Sequence, residues 1–251
     1  MTLQEFFKEV PKAAVAFSGG ADSAFLLWAA REYGADVRAY YVKTAFQPAF
    51  ELKDARRLAQ ELQVSMTVIE EDILAVPEVA QNGPKRCYYC KRALFSSLRE
   101  AARQDGYPVL LDGTNASDDA KDRPGMQALR ELQVRSPLRE CGITKEQLRQ
   151  MSKEAGLFTW EKPAYACLAT RVPTGTKITL EALKNVEQAE EILSELGFVD
   201  FRVRICQEGA RIQVREEEMA DLLDQRKVVT EQLKQLFPAV LMDLEAREPS
   251  K

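Results

Sequence analysis

The chain has 251 residues, with 35 Lys and Arg against 39 Asp and Glu, a formal charge of −4, 45% hydrophobic residues and no histidine. That length and apolar share build one large or two modest compact domains, and they exclude disordered and fibrous classes. Without histidine there is no Ser-His-Asp triad, Cys-His pair, imidazole base or His-bound zinc or haem, so polar chemistry falls to carboxylates, Lys, Arg, Cys and backbone amides. The net acidity disfavours electrostatic capture of nucleic acid. The N-terminus lacks the basic and apolar stretches of a leader, and no apolar run approaches the roughly 20 residues that span a bilayer, so a cytoplasmic protein without a membrane partner is expected. In that compartment the five cysteines do not read as a disulfide framework; clustered, they suit metal or redox use.

In chain order, an apolar segment at 13–17 precedes a glycine pair and a helix-compatible run at 24–30, the pattern of strand, tight turn and helix. A strand fits 37–42. A helix fits 50–62, where Leu52, Ala55, Leu58, Ala59 and Leu62 keep three- and four-residue spacing. A strand at 66–69, a helix at 91–102 and a strand at 109–111 follow. Strands alternating with helices predict a parallel sheet with right-handed crossovers, whose ligands lie beyond the carboxyl ends of the strands. Residues 18–23 and 112–115 belong at that rim. After a break at Pro173-Thr174-Gly175-Thr176 the pattern changes to a helix at 180–196, β-like runs at 201–205 and 211–214, a helical stretch and a last strand near 240–244. The expected fold is an α/β domain with a parallel sheet over 1–172 and a small α+β domain over 173–251. Neither part is basic enough to be a nucleic-acid module.

The strongest local motif is Ser18-Gly19-Gly20-Ala21-Asp22-Ser23 between a buried strand and a helix. Two glycines let successive N–H groups and the helix N-terminus converge on an anion, and the serine hydroxyls add donors. The motif has neither the Gly-Lys-Ser/Thr ending of a Walker A loop nor the spaced glycines of dinucleotide binders. An ordinary turn capped by Asp22 or Ser23 is the plain alternative. The second motif is Cys87-Tyr88-Tyr89-Cys90 with the distant Cys167: two sulfurs three residues apart can face one metal, and a third completes a three-thiolate site. A CxxC redox pair with an unrelated Cys167, or a zinc site completed by Cys141 or Cys206, fits the same spacing. Cations flank these cysteines at Lys91 and Arg171, and Arg202 and Arg204 alternate along a strand and so share a face. Arginine suits bidentate recognition of phosphate or carboxylate, although each position alone also fits a solvated charge.

The Ser-Gly-Gly-x-Asp-Ser motif in this setting resembles the PP-loop of ATP pyrophosphatases, which cleave ATP to AMP and pyrophosphate while adenylating a substrate oxygen. That resemblance implies a Rossmann-like (HUP-type) fold, contacts to ATP from Ser18, Gly19, Gly20, Ser23 and Thr114, and Mg²⁺ held with the help of Asp22. Nearly the whole chain is similar to one branch, the LarE-type ATP-dependent sulfur transferases that build the thiocarboxylates of the nickel-pincer nucleotide cofactor. Besides 18–23, the similarity rests on 87–95, on Asp112-Gly113-Thr114-Asn115 with Asp122-Arg123-Pro124-Gly125, on Ser136-Pro137-Leu138, on 167–175 and on Arg202-Val203-Arg204. It implies a substrate carboxylate on a small nucleotide, pyridinium-3,5-biscarboxylic acid mononucleotide, and a homo-oligomer. Cys167, Lys91 and Arg171 would be catalytic, Thr170, Arg202 and Arg204 would bind substrate, and Glu190 and Asp221 would be acidic positions nearby. It further implies a [4Fe-4S] cluster on Cys87, Cys90 and Cys167 that carries the sulfide. Two alternatives share the adenylation logic: a sacrificial transferase using Cys167 alone, and a tRNA-thiolating enzyme.

Overall fold

A computed structural model describes residues 1–118, 124–207 and 209–248. Asp122 and Arg123 lie outside the described residues. The chain forms two compact units, Met1–Val76 with Lys85–Lys162 and Pro77–Pro84 with Pro163–Lys251. The division falls at 162/163, where 172/173 was expected, and it assigns an eight-residue excursion of the N-terminal half, Pro77–Pro84, to the second unit. That assignment has a hydrogen-bonded basis inside the unit. The buried Asn82 side chain donates to the carbonyls of Val172 (3.3 Å) and Pro173 (2.9 Å), and its own carbonyl accepts from Gly175 N–H (2.9 Å).

The first unit runs α1 (Leu3–Glu9), β1 (Lys12–Ala16), α2 (Ala21–Glu32), β2 (Asp36–Lys43), α3 (Ala49–Glu61) and β3 (Met66–Glu70); the short helix α4 (Pro77–Ala80) belongs to the excursion, and α5 (Arg86–Gln104), β4 (Leu110–Leu111), α6 (Pro124–Glu131), α7 (Pro137–Glu140) and α8 (Lys145–Glu154) complete it. All four strands are parallel, in the order β3-β2-β1-β4. β1 is central and covered on both faces, which is why it reads as an unbroken apolar run of small residues. Ala13 and Val15 point into one hydrophobic cluster with Phe25, Leu26 and Leu58, while Ala14 points into another with Tyr40, Leu98 and Leu110. The strand order reverses between β1 and β4, so the crevice at their carboxyl ends is the topological switch point where sheets of this class bind ligands.

The predicted helices and strands of this unit are found within a few residues of their expected bounds, but α6, α7 and α8 were not anticipated, and two further differences stand at the N-terminus and at α5. α1 was not anticipated, although Thr2 and Glu5 form a reciprocal capping box that the sequence carries openly. α5 begins at Arg86, so the cysteine pair lies inside its first turns and not ahead of it.

The second unit is α+β as expected: the 3₁₀ turn Leu168–Arg171, α9 (Leu180–Glu195), β5 (Arg202–Cys206), β6 (Gly209–Gln213), α10 (Met219–Asp224), α11 (Arg226–Leu233) and β7 (Val240–Met242). β5 and β6 form an antiparallel hairpin and β7 adds parallel to β6. Thr179 caps α9 by accepting from Ala182 N–H (3.1 Å), and Leu183, Val186, Ala189 and Leu193 bury its inner face. Among the described residues no helix is long and apolar enough to cross a membrane.

Candidate functional site

The 18–23 loop joins the end of β1 to α2 at the switch point, as the motif predicts. Gly19 takes φ +75°, and a Cβ there would meet Glu51 O at 3.1 Å and Ala55 Cβ at 3.2 Å, so only glycine fits both the conformation and the space. Gly20 is the N-cap of α2 and contributes no side-chain acceptor, which leaves the first-turn amides and the positive end of the helix directed at the loop. The two serines brace the turn from inside: Ser23 Oγ accepts from Ser18 N–H (3.2 Å) and donates to Gly20 O (3.2 Å), and the two hydroxyls lie 3.1 Å apart. Ser18 and Ser23 therefore preorganise the backbone that would receive an anion.

Residues 112–115 leave β4 beside this loop. A Cβ on Gly113 would lie 2.8 Å from Ser23 N and 3.1 Å from the Asp22 carbonyl carbon, so the absence of a side chain lets β4 close directly on the first turn of α2. Asp112, Thr114 and Asn115 are all buried. The Asp112 carboxylate accepts from the hydroxyls of Thr114 and Ser136, the latter at 2.6 Å, so Thr114 is turned inward as a brace. Asp22 is held at both oxygens: Asn115 Nδ2 donates to one (3.0 Å) and Lys145 Nζ pairs with the other (2.6 Å). Lys145 was not singled out from the sequence. It opens α8 behind a Thr144/Gln147 capping box, and its backbone N–H donates to Ser117 Oγ (2.9 Å), so the only sequence signal for it is the cap that starts its helix.

Cys87 and Cys90 stand three residues apart on α5, spacing that puts them on one helical face; Cys87 is exposed and Cys90 half-buried. Lys91 follows on the next position, with its stem against Gly125 of α6, where a Cβ would come within 2.8 Å of Lys91 Cδ. Tyr88 OH donates to Glu131 (2.7 Å), tying this end of α5 to α6. Among the described residues no three Cys, Asp or Glu side chains are gathered closely enough to hold a metal ion.

Cys167 belongs to the second unit, where it caps the 3₁₀ turn Leu168–Arg171 and is half-buried. The arginines expected to bind anions grip the backbone around it. Arg171, 1% exposed, pairs through Nε and Nη2 with Glu190 (2.8 and 3.2 Å) and through Nη1 donates to Ala166 O (2.8 Å), Cys167 O (3.4 Å) and Thr170 Oγ (2.8 Å). Arg202 donates to Ala164 O (2.7 Å) and Arg204 to Thr170 O (3.0 Å). As the alternation predicted, Arg202 and Arg204 face the same way, toward this loop. Glu190 is a buried hub, since besides Arg171 its carboxylate accepts from Tyr165 OH and Val203 N–H (3.0 Å). Asp221 stands exposed on α10 and makes no hydrogen bond or ion pair with this group.

The electrostatics follow from four guanidiniums, Arg171, Arg202, Arg204 and Arg247, around two buried carboxylates, Glu190 and Asp200. Burial opposes the charge on Arg171, but the hydrogen bonds and charge of Glu190 outweigh it and hold its pKa above the ordinary value. Arg202 pairs more loosely, at 3.5 Å, with Asp200, a carboxylate it shares with Arg247; burial, then Arg171 and Arg247, outweigh that pair and pull it down to about 10. Burial and the same two cations lower Arg204. Burial and then Glu190 push the Tyr165 phenol up, so it stays a hydrogen-bond donor. A group in which cations depress one another is one that an arriving anion would relieve.

Residues 12–82 match the family described as queuosine biosynthesis protein QueC. A pyridinium-3,5-bisthiocarboxylic acid mononucleotide synthase of Lactiplantibacillus plantarum is 34% identical over 97% of this chain and 89% of its own length. An uncharacterized protein of Synechocystis is 36% identical over 99% of this chain and 94% of its own. A tRNA-specific 2-thiouridylase of Clostridium botulinum is 25% identical over 59% of this chain and 51% of its own.

Proposed function

From the membership of this chain in the LarE-type family of ATP-using PP-loop sulfur transferases, we propose that it adenylates a carboxylate of pyridinium-3,5-biscarboxylic acid mononucleotide and replaces the oxygen with sulfur, a step in making the nickel-pincer cofactor. The observation that supports this most is the coincidence of a near full-length match to the L. plantarum synthase with a phosphate-type loop at the switch point of the sheet. Oxide is a poor leaving group. Attack of the carboxylate on the α-phosphorus of ATP releases pyrophosphate and installs AMP, and sulfide then displaces AMP to leave a thiocarboxylate.

The backbone of the 18–23 loop and the α2 N-terminus bind the polyphosphate, Asp22 meets the Mg²⁺ that accompanies ATP, and Lys91 stabilises charge on the reacting groups. The cationic excess of Arg171, Arg202, Arg204 and Arg247 over Glu190 and Asp200 supports binding of the anionic substrate beside Thr170. Three thiols without imidazole are a soft donor set suited to iron and sulfide, so Cys87, Cys90 and Cys167 would hold a [4Fe-4S] cluster. When bound, the cluster supplies the sulfur. The tRNA reading is less favoured because the thiouridylase match covers only 59% of this chain. Incubating the anaerobically reconstituted protein with ATP and the dicarboxylate tests the proposal: AMP, pyrophosphate and a product with sulfur in place of oxygen are expected, and ADP or an unmodified dicarboxylate would refute it. Iron and sulfide analysis of Cys87→Ala and Cys90→Ala separates the cluster from sacrifice of Cys167, and light scattering tests the proposed homo-oligomer.

A further inference from the structure

We propose that Tyr165 is a positioning residue for Cys167, acting through Glu190 and the arginines that grip the loop. In the segment from Ala164 to Thr170 four carbonyls are held by three guanidiniums: Ala164 by Arg202, Ala166 and Cys167 by Arg171, and Thr170 by Arg204. Two of those guanidiniums, Arg171 and Arg202, meet at Tyr165. Its ring carries both Arg171 (4.7 Å to the centroid) and Arg202 (5.1 Å), and its hydroxyl donates to the Glu190 carboxylate that fixes Arg171. A π face attracts a cation, and Arg171 and Arg202 repel one another, so the shared ring keeps two like charges in one small space. Tyr165 thus lies two residues from Cys167 and returns to it through side chains on α9 and β5.

Cys206 provides an internal reference, because it is also half-buried in the same unit and donates from its thiol to Gly209 O (3.3 Å), on the far end of the β5–β6 hairpin from Arg202. The test is site-resolved alkylation of the intact protein with iodoacetamide at fixed pH, read by mass spectrometry. Releasing charge-assisted grips on the loop makes it open more often, by about tenfold for the loss of one such hydrogen bond. In Tyr165→Ala, Cys167 should be alkylated about tenfold faster while Cys206 stays within about twofold of the parent. Tyr165→Phe keeps the ring and loses one hydrogen bond, so its Cys167 rate should lie between parent and Tyr165→Ala. A Cys167 rate that does not rise in Tyr165→Ala, a Cys206 rate that rises with it, or a Tyr165→Phe variant equal to Tyr165→Ala would overturn the assignment. The assignment takes from the proposed function only that Cys167 handles sulfur. The alkylation needs neither ATP nor substrate, so its failure is distinguishable from failure of the sulfur-transfer reading.

Discussion

Replacing Gly113 with alanine tests the geometry of the nucleotide crevice directly. The new Cβ would sit 2.8 Å from Ser23 N and 3.1 Å from Ser23 Cα, against an ordinary contact that begins at 3.4 Å, so β4 and the first turn of α2 must separate by about 0.6 Å. The obstacle is backbone on both sides, and no side chain can swing away. Overpacking of this kind costs about 1–3 kcal/mol, which for a chain of this size lowers the melting temperature by roughly 2–12 °C. The same displacement carries the α2 amides out of hydrogen-bonding range of a phosphate oxygen, weakening ATP binding by about tenfold to a hundredfold at roughly 1.5–3 kcal/mol per lost bond to a charged acceptor. Gly20→Ala is the control. Gly20 has φ −80° and ψ 164°, and its Cβ would meet only Ser18 Oγ at 3.4 Å, so this variant should melt like the parent and lose ATP affinity only if the phosphates approach that backbone. Calorimetric titration with a non-hydrolysable ATP analogue and a thermal melt measure both quantities. A Gly113→Ala protein with parental melting and ATP affinity would show that the close approach of β4 to α2 does not shape the loop.

Lys145→Met should leave the melting temperature nearly unchanged, because its pair with Asp22 is partly exposed and such pairs contribute about 1 kcal/mol or less; AMP formation should nonetheless fall about tenfold, since Asp22 loses one of its two anchors. Arg171→Met should cost about 3 kcal/mol or more by leaving Glu190 buried without its partner, and the double variant with Glu190→Gln should recover much of that loss in a denaturant titration. The Glu140 carboxyl is held below its ordinary value of 4.5, first by the hydrogen bond from Arg135. A depressed acid stabilises the fold above its unfolded pKa and loses that contribution as the pH falls through its folded value, so melting below about pH 4.5 should drop less steeply in Glu140→Gln than in the parent.

The parallel sheet was legible because its strands are short apolar runs separated by helices with three- and four-residue spacing, and the 18–23 loop was legible because two glycines between such elements have few other uses. The start of α5 was not. Pro84, Lys85 and Arg86 carry no residue to mark an inner face, the N-cap, Lys85, makes no side-chain cap bond, and Cys87-Tyr88-Tyr89-Cys90 is an unbroken run without helical spacing, so the sequence does not mark where the helix starts. The shared face of Arg202 and Arg204 followed from strand alternation, but what they touch did not, since backbone carbonyls leave no trace in composition. Lys145 lies 123 positions from Asp22, and no local pattern joins a helix start to a loop at that separation. Tyr165 was passed over for a similar reason, its partners being 6, 25 and 37 residues away.

The excursion of Pro77–Pro84 makes each unit discontinuous along the chain, which passes from one to the other three times, at 76/77, 84/85 and 162/163. A fragment beginning at Pro163 would therefore lack Asn82, whose side chain and carbonyl hold residues 172–175, and a fragment ending at Lys162 would carry that segment with its partners gone. Gene-level shuffling of the two units as cassettes would break both. Any chimera of this protein with a relative has to exchange two stretches of sequence together, so the halves are bound to vary as a pair.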